Sequence, residues 1–146
     1  MTPDSPDAAL VRGTRPLLAA EPDRAASAFY AALFEDAPGL RSLFPVDMTE
    51  QGRKLAATLA LAADAAGDWE RLGPVLDALA RRHLAYGVRP EHYPPVGRAL
   101  LKTLRASGAS AAEAAAWSRL YDAVAARMIA AAHPACAAQA PMARAG

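Results

Sequence analysis

Residues 81–97 read RRHLAYGVRPEHYPPVG, from Arg81 to Gly97. His83 stands late in an apolar helical pattern. Pro74 is the expected start of that helix, and Val75, Leu76, Leu79 and Tyr86 share its expected inward face. Gly87 falls where a left-handed C-terminal residue is expected. Pro90 opens the next segment, and Pro94 and Pro95 force an irregular first turn on it, because only a first turn can spare its N–H groups. Regular helix is expected from about Pro95, with Tyr93 just ahead of it and Val96, Leu100, Leu101 and Leu104 as its apolar stripe. Helix, sharp turn and helix, with one inward histidine, is the unit that the rest of the chain must be fitted around.

Working outward, Ser107-Gly108 breaks the second of these helices, and Ser110 to Glu113 is an S-x-x-E capping box opening the last one. Trp117, Leu120, Tyr121, Val124, Met128 and Ile129 point inward from it. From His133 to Gly146 periodicity is lost and a frayed tail is expected. On the N-terminal side, DWERL is a short piece preceded by Gly67, which ends a helix carrying Met48, Gln51, Leu55, Leu59 and Ala62 on one face. Asp47 to Glu50 reads as its capping box. Asp36 to Pro45, bounded by prolines, predicts a short helical turn offering Leu40, Leu43 and Phe44. Pro22 opens a helix with Ala26, Phe29, Tyr30, Leu33 and Phe34 inward. Ser5-Pro6 opens the first helix, which runs on Leu10, Val11 and Leu17 to about Ala20. No strand alternation and no repeat interrupts this pattern. The expectation is one all-α domain over residues 1–132 and a tail over 133–146.

Composition agrees. Apolar residues make up 53% of the chain, yet aromatics only 6%; the balance is largely alanine, the residue least costly in a helix. Lys+Arg 16 against Asp+Glu 15 leaves a net charge of +1, with no basic stripe to suit nucleic acid. A lone cysteine, Cys136, allows no internal disulfide and suits a reducing compartment. MTPDSPDAAL lacks the charge and apolar core of a signal peptide, and no apolar run reaches the length of a membrane span. A cytoplasmic protein without membrane contact is expected.

Three helices each place one polar side chain in an apolar stripe: Tyr30, Gln51 and His83. An unpartnered buried polar group costs about 1–3 kcal/mol, so three on separate helices suggest one shared interior site. Each alone has an ordinary explanation. A histidine on an apolar face is more often a packed core residue than a ligand, a tyrosine can keep its hydroxyl at the core edge, and a first-turn glutamine can simply be solvated. Tyr93 near a helix start reads as packing. His92 and His133 are expected to be exposed. Cys-x-x-Cys, HExxH, phosphate-binding glycine motifs and a G-x-S-x-G elbow are all missing from the sequence.

Four pieces carry a resemblance: FYAALFEDAPGLRSLFP, DMTEQGRKL, RRHLAYGVRPEHYPPVG and AWSRLYDAV. In this order they resemble bacterial single-domain globins, the globin domain of flavohaemoglobins and Vitreoscilla-type haemoglobin, over roughly residues 8–130. The resemblance implies a globin fold around haem b (iron protoporphyrin IX). It implies His83 as proximal iron ligand, Phe44 as the phenylalanine packed on the haem, Tyr30 and Gln51 as the distal pair, and Tyr93 as the proximal-side tyrosine. Lys54 and Leu55 follow Gln51 as in the family. Leu79, Val88 and Val96 fall where side chains line the haem, and Lys54 or Arg82 would pair with a propionate.

The implied function is reversible O2 binding for storage or delivery. The alternative is an enzyme, NO dioxygenase or peroxidase-like, fed by a separate reductase. O2, NO or other diatomics are the implied ligands, in a monomer or homodimer. The chain departs from the family in two places. The glutamate that flavohaemoglobins set beside the proximal histidine has no counterpart near Ala132, and no FAD- and NAD(P)H-binding reductase domain is expected in this protein. Pro94-Pro95 is also unusual for the family.

Overall fold

Proline, glycine and capping signals divide the chain as the periodicity predicts, with several displaced boundaries. The structure, a computed structural model, describes residues 1–134; the expected tail lies almost wholly outside them. Among the described residues there are seven α-helices and no strand: α1 (Pro6–Gly13), α2 (Arg15–Ala20), α3 (Pro22–Asp36), α4 (Thr49–Asp64), α5 (Trp69–Ala85), α6 (Tyr93–Ala106) and α7 (Ala111–Ala132). Short 3-10 helices over Pro38–Leu43 and Pro90–His92 join α3 to α4 and α5 to α6. The all-α class expected from the sequence is the class observed.

Ser5 caps α1 by accepting from the Ala8 N–H. The Ser110–Glu113 box closes reciprocally at 2.8 and 3.1 Å. Gly87 has φ +91°. Beside it the Val88 N–H reaches the His83 carbonyl and the Gly87 N–H the Leu84 carbonyl, both at 3.0 Å. This paired closure is the Schellman motif, and it stops α5 just past the histidine.

Other expectations need correction. The first helix is two helices, broken at Thr14. The Thr14 hydroxyl donates to the Val11 carbonyl at 2.6 Å and accepts from the Trp117 indole at 2.8 Å. Asp47 forms no capping box: its carboxylate accepts from the Thr49 N–H at 3.0 Å, a local turn bond ahead of α4. Pro74 lies inside α5, which starts at Trp69 with Asp68 as its cap. Only one helical N–H is lost there, and a two-pronged pair between Asp77 and Arg127, both contacts 2.9 Å, fastens this part of α5 to α7. Tyr86 is 69% exposed rather than buried, being the residue after the last turn of α5, and Val75 is 39% exposed. His92 and His133 are half-buried rather than exposed. His92 Nδ1 accepts from the Arg89 N–H, and His133 Nε2 is shut away from solvent.

Helix α4 rests on α1, α2 and α3, whereas α5 rests on α7, and α3 crosses α6. Two consecutive helices thus lean on different partners. The apolar interior divides accordingly. One cluster gathers Phe29, Tyr30, Leu33, Leu100, Trp117 and Leu120, with Phe44, Leu55, Leu59 and Val96 against it. The other gathers Leu72, Leu76, Ala80, Tyr93 and Met128, with Leu79 and Val88 against it. Trp69, Tyr121 and Val124 touch both.

Candidate cofactor site

On α4 the expected inward face, Gln51, Leu55, Leu59 and Ala62, is only half-buried; the sealed positions of that helix are Gly52 and Ala63. On α5 the sealed stripe is Leu72, Leu76 and Ala80, facing α7. Val75, Leu79 and His83, at four-residue spacing, form a second and less covered stripe. Phe44, Val88 and Val96 are half-buried as well. Apolar stripes left half-covered on two helices with different supports leave each helix a face that a further group could cover.

His83 is oriented by its own helix. Its Nδ1 lies 2.9 Å from the Leu79 carbonyl. A carbonyl can only accept, so Nδ1 carries the proton and Nε2 keeps its lone pair. Nε2 makes no protein hydrogen bond and is not among the sealed polar atoms. Burial lowers the His83 pKa below the ordinary value; the Leu79 bond opposes this, and nearby Arg82 adds to it. A neutral imidazole is the favoured form.

Across the fold, Tyr30 is 7% exposed. Its hydroxyl points at the backbone carbonyl of Gln51, 3.5 Å away, so α3 and α4 bring the two predicted polar residues together. Burial pushes the phenol up to about 12, with the Gln51 contact opposing; it stays a protonated donor throughout the neutral range. Its ring packs edge-on against Phe29 at 5.0 Å and Phe44 at 5.6 Å, and Phe34 stacks at 6.0 Å.

Phe44 is held by a residue the sequence reading missed. Arg41 lies over the Phe34 ring at 5.3 Å and donates to the carbonyls of Phe44, Pro45 and Val46 at 3.3, 2.9 and 3.2 Å. The only sequence signal was an arginine three residues ahead of Phe44-Pro45. Lys54 is exposed at the rim of an open cleft whose lining includes Pro45, Asp47, Gln51 and Arg53.

Tyr93 is 6% exposed, and its hydroxyl is sealed without a protein partner. Tyr121 donates to the Tyr93 backbone carbonyl at 2.6 Å, so α7 fixes the head of α6. Ala132, where a glutamate was sought, is buried in the same cluster as Tyr93.

A haem needs a flat apolar slot, one neutral axial nitrogen and polar groups at opposite ends. The half-covered stripes, the lone pair on His83 Nε2, the Tyr30 hydroxyl and the cations at the rim suit these needs. Among the described residues, no cluster of three or more histidine, cysteine or acidic side chains could hold a bare ion. A ready-made ligand cage thus plays no part in the match.

Known proteins share this sequence pattern and this fold. Residues 27–128 match the family model described as Globin. The flavohemoprotein of Bordetella parapertussis is 36% identical over 100 residues, covering 66% of this chain and 25% of that protein. The flavohemoprotein of Halalkalibacterium halodurans is 31% identical over 122 residues, covering 80% and 30%. The chain thus spans between a quarter and a third of the length of these relatives. A bacterial globin from Campylobacter jejuni superimposes with TM-score 0.79 at 27% identity, covering 86% of this chain and 94% of that one. An engineered carbene transferase made from a proposed nitric oxide dioxygenase of Rhodothermus marinus gives 0.80, also at 27% identity, covering 93% and 98%. With its helix order, its divided core and a family match over most of its length, the chain belongs to the globin family.

Proposed function

We propose that this protein binds haem b in the cleft between α4 and α5 and uses it to bind O2 reversibly. The observation that carries the reading is His83, whose Nδ1 is committed to the Leu79 carbonyl at 2.9 Å. The bond fixes the tautomer and leaves Nε2 free as the nitrogen that would hold the iron. Haem iron held by one imidazole supplies an open coordination position for a diatomic ligand. Leu55 and Leu59 from α4, with Leu79, Val88, Val96 and Phe44, would form the apolar walls and keep water out. Arg41 holds Phe44 against Tyr30 and Phe34.

Tyr30 would donate a hydrogen bond to a bound diatomic. At 3.5 Å its contact with the Gln51 carbonyl is long beside an ordinary hydroxyl bond of about 2.7–2.8 Å. Its proton is only weakly committed and turns readily toward a better acceptor. The Gln51 amide would be the second donor. Inside a poorly hydrated pocket such bonds are stronger than in water. Lys54 or Arg82 at the rim would meet a propionate, a small contribution at an exposed position.

Adding haem to the haem-free protein should give a Soret band that is lost or shifted in His83→Ala. Failure to take up haem overturns the reading.

A second reading is NO dioxygenase or peroxidase-like chemistry with electrons from a separate reductase. The relatives favour it: they are flavohemoproteins, and one structural neighbour is derived from a proposed nitric oxide dioxygenase. Against strong activation stands the proximal side, where Ala132 offers no carboxylate to Tyr93 or His83. Sustained NO consumption with added reductase, well above autoxidation, decides for the enzyme; a single round of consumption decides nothing.

A further inference from the structure

Helices α4 and α5 are joined directly by one short link, the corner of residues 65–68 that turns the end of α4 into the start of α5. Ala65, Ala66 and Gly67 are buried there, and Gly67 takes φ +81°. What covers the corner is the beginning of the chain. The Trp69 indole N–H donates to the Met1 carbonyl at 3.3 Å. A Cβ placed on Gly67 would fall 2.5 Å from the Thr2 carbonyl oxygen and 2.7 Å from Pro3 N, so strap and corner are in backbone contact. The other side of the strap is tied to α1. Arg12 donates to the Pro3 carbonyl at 2.8 Å, and Ser5 donates to the Thr2 carbonyl through its hydroxyl at 2.7 Å and its N–H at 3.1 Å.

These contacts have a consequence for the two walls. Helix α1 packs on both α4 and α7, and α7 carries α5. Trp69, the residue bonded to Met1, touches both apolar clusters. A strap pinned to α1 at one edge and to the corner at the other therefore restrains how far α4 and α5 can part. Gly67 is fixed as glycine twice over, by its left-handed backbone and by the chain lying on its Cα.

We propose that residues Met1 to Pro3 are a positioning strap that sets the spacing of α4 and α5, the two helices assigned above to the haem walls. The consequence for cofactor retention rests on the haem reading; the spacing itself does not. The test places spin labels at Ala57 and Arg81, exposed positions on the two helices, in a Cys136→Ser background. The distance distribution is then measured in folded, full-length protein with and without haem. Deleting Thr2 and Pro3 should broaden or lengthen the distribution. It should also speed haem transfer to an acceptor globin about three- to tenfold, the scale of one lost hydrogen bond.

Gly67→Ala should do the same in the intact chain and have a smaller effect once Thr2 and Pro3 are gone; the strain of φ +81° acts in both backgrounds, so the difference between the two effects isolates the contact with the strap. Trp69→Phe, which removes the bond to Met1 together with part of the ring packed on both clusters, leaves the corner backbone intact and should shift the distribution in the same direction. An unchanged distribution in the deletion variant, or an equal Gly67→Ala effect in both backgrounds, overturns the strap. Wild-type protein without a Soret band overturns the haem reading instead and leaves the distance test standing.

Discussion

His83 Nδ1 and the Leu79 carbonyl lie 2.9 Å apart within a single turn of α5. The bond ties a ring rotamer to the helix that carries it, and burial disfavours the charged ring. The folded-state pKa is thus below the ordinary 6.5, and as pH falls the unfolded chain takes up this proton first. In the haem-free protein this residue leaves stability untouched above that value. It lowers stability as pH drops through it, and its effect levels off once the folded-state ring also protonates. Urea melts of His83→Gln between about pH 7.5 and 5 should show a flatter decline than wild type. Parallel declines would mean that His83 titrates normally.

Tyr30→Phe keeps the ring contacts with Phe29, Phe34 and Phe44 and removes only the hydroxyl. The O2 dissociation rate of haem-loaded protein should rise about fivefold or more, the scale of one hydrogen bond of roughly 1 kcal/mol. The urea midpoint should change little, because the bond given up to Gln51 is long. An unchanged off-rate in stopped-flow ligand replacement removes Tyr30 from the role.

Thr14→Val leaves the Trp117 N–H buried without its acceptor at 2.8 Å. Both residues are sealed, at 0% and 2% exposure, so the loss should cost about 1–3 kcal/mol in chemical denaturation. His83 and Tyr30 stand on other helices, so the Soret position of the surviving folded protein should not move.

Helix existence was legible because each stop and start is a local chemical event. Ser110 and Glu113 answer one another across three residues, and Gly87 takes the positive φ that an apolar run ending in glycine suggests. The polar residues that break apolar stripes, Tyr30, Gln51 and His83, were legible too, and α3 and α4 bring the first two together. What was hidden depends on partners distant in sequence. Thr14 looks like an ordinary helical residue until Trp117 arrives from 103 positions away. Pro74 reads as a helix start unless Arg127 is seen fastening Asp77. Arg41 looks like a solvated charge, yet its reach to three successive carbonyls sets Phe44. How deep each stripe is buried was equally out of reach, because periodicity gives the direction of a side chain and not what covers it.

Gly97→Ala tests the joint between α6 and α7 behind Tyr93. A Cβ at Gly97 would stand 2.8 and 2.9 Å from two ring carbons of Tyr121. That ring has little freedom to retreat, because its hydroxyl is bound at 2.6 Å to the Tyr93 carbonyl. In an exposed helix this change would gain roughly 1 kcal/mol from propensity. Here overpacking of about 1–3 kcal/mol should outweigh it and lower the melting temperature. Tyr121→Phe frees the ring, so combining the two substitutions should recover part of the loss. A Gly97→Ala protein as stable as wild type would mean that α6 and α7 separate without strain, and that Tyr121 does not hold the head of α6.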